Sequence, residues 1–192
     1  RSEEEIKTEV TNKILEFGTN NLSEFDKDFR FSKLLGAIDG ADTSILSNNT
    51  RVRLTKELAP VTGATNDFNL DYSNEIERGS ITSTLFTKTV NGVNFETSFE
   101  DLNGTIRLVS SSRGAKEVLD FNAGTVDYTT GEIVLNSFKL DGYFSRARAA
   151  LGDRVQLFAK GTLPDVIVEK DQIIQIQSLN VLVNVTGQTT DD

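Results

Sequence analysis

The stretch FNAGTVDYTTGEIVLNSF, Phe121–Phe138, sets Asp127 and Glu132 on either side of a small polar loop. Two acids so placed read either as a site, a cation loop or an acid–base pair, or as a turn between strands. A calcium loop needs several oxygen ligands at alternating positions, closed by a bidentate acid. Here Tyr128, Thr129 and Thr130 stand between the acids. Thr130-Gly131 supplies a turn, because glycine accepts positive φ without a steric penalty. Val126 and Tyr128 lead in and Ile133 and Leu135 lead out with the same alternation, so the stretch is expected to be a hairpin.

Outward from that hairpin the β pattern continues. TRVRLTKEL alternates Val52, Leu54 and Leu58 with charge, and NDFNLDYS alternates Phe68, Leu70 and Tyr72. SITSTLFTKTV and VNFETSFEDL flank Asn91-Gly92, a strong hairpin signal. GTIRLVS, DRVQLFAKG, IIQIQS and VLVNVTG complete the set of expected strands, and Pro164-Asp165 marks a turn. Short strands with frequent turns point to an antiparallel sheet or sandwich rather than to βαβ units.

Before Ile45 the period is helical. Ser2 and Glu5 form a capping-box pattern, and Glu3, Glu4 and Glu5 suit the positive end of a helix dipole. Ile6, Val10, Ile14 and Phe17 share a face, and Gly18 is placed to end the helix. Two more short helices are expected near Ser23–Phe29 and Ser32–Ile38, stopped by DGAD. The fold class is therefore α+β: short N-terminal helices packed on a mainly antiparallel β region, sheet or sandwich. Residues 1–44 form the helical layer and 45–192 the β-rich domain, with a single cooperative unit as one option. The tail GQTTDD is expected to be loose.

The 192 residues, 37% hydrophobic and 26% charged, have the composition of an ordinary soluble globular protein. The chain opens RSEEEIKTEV without Met or a basic-then-apolar leader, which is read as a start inside a longer protein. A net charge of −9 argues against nucleic acid and against an anionic membrane surface as partners. With no His and no Cys, triads, imidazole shuttles, thiolate chemistry and His- or Cys-based metal sites are excluded.

The remaining candidates read as structure. Asp39–Asp42 is expected to be a helix stop and turn, and Ser110–Glu117 a mobile loop. Asp67, Asp71 and Glu75 lie where strand alternation dominates. Arg146, Arg148 and Arg154 form a basic patch suited to an acidic partner surface. Phe25, Phe29 and Phe31 make a group large for short helices, with one or two expected at a subunit interface. No catalytic residue, cofactor, metal or small-molecule substrate is expected. The candidate interface is Phe25, Phe29, Phe31, Arg146 and Arg148.

Three segments together resemble the baseplate J-like family, nearest to the baseplate wedge proteins of T4-like contractile-tailed phages. They are Val10–Leu54, with VTNKILEF through FSKLLGAIDGADTSIL, then AGTVDYTTGEIVLNSF, and then VQLFAKGTLPDVIVEKDQIIQIQSLNVLVNV. Thr55–Asp120 carries no part of the likeness. The resemblance implies a structural virion protein without catalytic residues or cofactors. It implies pairing with copies of itself and with other wedge subunits into a ring around the tail hub. The implied place is the tail baseplate of the virion, assembled in the host cytoplasm. A second reading is a carbohydrate- or receptor-binding β module, for which the absence of Trp and the count of three Tyr are unfavourable. A third, a carboxylate-dependent hydrolase, needs two convergent acids that no spacing suggests.

Overall fold

A computed structural model describes residues 1–111 and 114–186, and in it the chain is mainly antiparallel β with three α-helices among those residues. Two compact units form: Val52–Leu163, and Arg1–Arg51 together with the described part of Pro164–Asp192.

Among its described residues the β unit holds ten strands: β1 Leu54–Leu58, β2 Thr65–Asp71, β3 Thr82–Ser83, β4 Phe86–Val90, β5 Val93–Leu102, β6 Thr105–Ser110, β7 Glu117–Asp127, β8 Glu132–Lys139, β9 Gly142–Tyr143 and β10 Val155–Ala159. Every pairing is antiparallel. The order β1-β10-β3-β5-β6-β7-β8-β2 curls into a nearly closed barrel, with β4 paired to both β5 and β9. Helix α3, Ser145–Leu151, follows β9.

The decisive hairpin is β7–β8, in register from Gly124↔Leu135 to Asp127↔Glu132. Its turn explains both acids. The Asp127 carbonyl accepts the Gly131 N–H at 2.9 Å, and its side chain accepts the Thr129 N–H at 2.9 Å. Glu132 accepts from Asn69 Nδ2 at 3.0 Å on the neighbouring β2. Gly131 sits at φ 81°, and a Cβ there would strike the Asn74 carbonyl oxygen. Gly131→Ala is therefore expected to cost about 2–3 kcal/mol, from the left-handed backbone plus the collision. A urea midpoint unchanged by that substitution would contradict the turn.

The same hairpin carries the core. Ile133, Leu135 and Phe138 all point inward although 135 and 138 are an odd step apart. Ser137 supplies the extra residue: it sits at φ 51°, donates its N–H to Asp67 Oδ1 at 2.7 Å, and lies where the β2–β8 register shifts. Phe86, Phe99 and Phe138 meet with ring centroids 5.1–5.4 Å apart, the first two without solvent exposure. The β4–β5 turn is the expected Asn91-Gly92, both at positive φ. The expected strand SITSTLFTKTV is divided into β3 and β4, so β5 pairs with each over a different part of its length.

In the other unit, α1 spans Glu3–Leu22 and α2 spans Phe31–Asp39. The Ser2–Glu5 capping box forms, with bonds of 2.9 and 3.3 Å. Gly18 does not end α1. It lies inside the helix, where a Cβ would come within 3.3 Å of Ile176, so its role is to let that side chain approach the backbone. The expected helix near Ser23–Phe29 is also absent. Its backbone is used elsewhere: Phe29 and Val166 exchange both hydrogen bonds, at 2.9 and 3.0 Å, and Asp26 N–H reaches Gln172 O. Long-range pairing with residues 166–172 has displaced local helix formation.

Asp165 completes this arrangement. Its Oδ1 accepts the Phe31 N–H at 2.8 Å, capping α2, whose own N-cap Arg30 supplies no side-chain bond. That bond, then the one from Arg30, lowers the Asp165 carboxyl below the usual range. Asp42, accepting from the Ser44 hydroxyl and N–H and paired with Arg1, is lowered to about 2. A depressed folded value contributes stability that is full above the unfolded value and lost as pH falls through the folded one. The helical signal at 222 nm is thus expected to weaken between about pH 4 and pH 2. A flat signal across that window would contradict the Asp42 and Asp165 bonds.

The expected closing hairpin IIQIQSLNVLVNV is not formed. A single 3₁₀ turn, Ser178–Asn180, lies between its two arms, and neither arm enters a ladder among the described residues. The tail GQTTDD lies outside the described residues.

Candidate functional site

The aromatic candidates separate by burial. Phe29 is 3% exposed and packs edge-to-face on Phe17 with centroids 6.2 Å apart. Phe31 opens α2 and is half-buried, while Phe25 is 59% exposed. A period-based face groups all three, but the irregular backbone of 23–30 turns Phe25 outward and Phe29 inward. Beside them lies a cleft of about 220 Å³ at the end of α1. Of its three cations two are engaged: Lys27 pairs with Glu24 at 3.3 Å, and Arg30 with Asp28 and Asp165 at 2.9 and 3.1 Å, while Lys33 lines the cleft as well.

Arg146 and Arg148, on α3, belong to the β unit and are exposed. Arg148 Nε meets Asp153 at 2.7 Å, and Arg154 meets Glu57 at 2.6 Å. The patch is thus partly neutralised by its own unit.

Three of the acids expected to be structural accept hydrogen bonds. Asp39 accepts from Asn48, Asp67 from Ser137, and Asp71 from Ser73. Among the described residues no three His, Cys, Asp or Glu side chains gather in a way that could hold a metal ion. Of the loop Ser110–Glu117, positions 112 and 113 lie outside the described residues. Tyr72 and Tyr128 are buried, and Tyr143 is half-buried with its hydroxyl donated to the Pro60 carbonyl, so none offers an open ring face for a sugar.

One polar cluster escaped sequence reasoning. Asp101, near the end of β5, is 6% exposed and accepts three hydrogen bonds: Gly79 N–H at 2.6 Å, Ile81 N–H at 2.8 Å and the Tyr128 hydroxyl at 2.7 Å. The Tyr128 oxygen in turn accepts the Gly104 N–H at 3.0 Å, and the Arg78 guanidinium covers its ring at 4.4 Å. Burial, then the bond to Asp101, raises the Tyr128 phenol above its ordinary value and keeps it a donor. The Asp101 carboxylate and the Tyr128 hydroxyl are both met by protein groups. The cluster ties the β5–β6 turn, the β7–β8 turn and the 79–81 loop together, and nothing in it faces a cleft. The legible signal was Asn103-Gly104, a second hairpin turn with both residues at positive φ.

No curated protein matches the chain. Over residues 1–57 the chain matches the model of the family described as baseplate structural protein gp6, C-terminal domain III, and the resemblance read from the sequence is borne out there.

Proposed function

We propose that this chain is a structural subunit of a contractile-tail phage baseplate wedge. In this reading it associates with copies of itself and with other wedge subunits to build the ring around the tail hub, after synthesis in the host cytoplasm. The observation that carries it is the family match over residues 1–57, which spans α1 and α2. The site chemistry supports it: Asp127, Asp165 and Asp42 are engaged in turns and caps, and in the cleft at the end of α1 Lys27 pairs with Glu24 and Arg30 with Asp28 and Asp165. Phe25 and Phe31 on the helical unit and Arg146 and Arg148 on the β unit are the proposed contact residues, with buried Phe29 holding the aromatic surface from beneath. Gold-labelled antibody against the 192-residue chain should mark the distal end of contractile tails in electron micrographs. Label on capsids alone, or on no particle, would overturn the assignment.

A further inference from the structure

The two edges of the barrel and the last described segment of the chain are built in opposite ways. A free strand edge is a template for another chain, and charged side chains usually guard it. Edge strand β1 carries Lys56 and Glu57, and edge strand β2 carries Asp67 and Asp71. By contrast, residues 172–190 contain no charged side chain in a protein that is 26% charged.

Within that neutral stretch, Val181–Val185 has the features of a strand without a sheet. Val181 is in the β region, at φ −81° and ψ 115°. From Val181 to Thr186 burial alternates residue by residue, with Val181, Val183 and Val185 half-covered and Leu182, Asn184 and Thr186 exposed. Leu182 is 83% exposed. Among the described residues the peptide groups of Leu182–Val185 have no hydrogen-bond partner. Alternation, β-branched residues and open peptide groups together make this a segment ready for strand addition.

Charge selects the occupant. Copies of a −9 chain carry a net like-charge repulsion, and like charges placed opposite across a ladder are destabilising. A neutral strand is where two identical chains can meet antiparallel without that penalty, and such a contact closes on itself as a two-fold pair. We propose that Val181–Val185 pairs antiparallel with the same segment of a second copy of this chain. This rests on the self-association reading above and gives it a location.

The chain has no cysteine, so single-cysteine variants at positions 181 to 185 can be oxidised without background. Opposed residues in an antiparallel pair lie about 4.5–5.5 Å apart, within disulfide reach, whereas a residue two steps off the axis does not face its own copy. Linked dimer should therefore peak at one position and fall away on both sides. Leu182→Lys should leave the circular dichroism spectrum unchanged and raise the dimer dissociation constant about tenfold or more. A dimer by mass that shows no cross-linking peak and is indifferent to Leu182→Lys would overturn this segment while leaving self-association standing. A monomer at every concentration, with no linked dimer, would overturn both.

Discussion

Asp101→Ala is expected to destabilise the β unit by about 4 kcal/mol, because three donors lose their acceptor, two of them in buried bonds, and each such loss costs about 1–3 kcal/mol. The Gly79 and Ile81 N–H groups cannot turn away, since the backbone fixes them. The Tyr128 hydroxyl, held under Arg78, has little freedom to find water. Tyr128→Phe is the matching half-measure. It removes one donor but leaves Asp101 two backbone partners, so a loss of about 1–2 kcal/mol is expected. Urea unfolding followed by circular dichroism checks the pair. Equal losses for the two variants would contradict the central place given to Asp101.

Phe99→Ala is expected to cost about 3–5 kcal/mol, the range for deleting a fully buried ring and leaving a cavity. Phe99 has no solvent exposure and touches both Phe86 and Phe138, so the vacated space is bounded by rigid rings that collapse poorly. Phe121, also on the sheet, is 68% exposed, and Phe121→Ala should fall within about 0.5 kcal/mol of the parent. The comparison holds residue type constant and varies only burial. Similar midpoint shifts for the two would show that the core is misplaced.

The β unit was legible because its signals are local. Asn91-Gly92 and Thr130-Gly131 name their turns, and alternation in Val126–Leu135 names the inward face. The capping box at Ser2 was legible for the same reason. What failed depended on distant partners. Gly18 looks like a helix stop until Ile176 is seen against it, and Ser23–Phe29 looks helical until residues 166–172 take its backbone bonds. The Asp101 cluster is invisible to spacing because its members come from three separate loops and strand ends. Ile173–Val185 failed in the opposite sense: its pattern is that of strands, yet no ladder within the described chain receives it. Of the candidate interface, exposure at Phe25, Arg146 and Arg148 agrees with a surface role, and the burial of Phe29 follows from its pairing with Val166.

Self-association is the claim on which the assembly reading depends, and the solution mass of the 192-residue chain, measured by light scattering over a wide concentration range, tests it most directly. The expected result is a transition with rising concentration from the 21.1 kDa monomer to a closed dimer of twice that mass. A mass that stays at the monomer value throughout would contradict it.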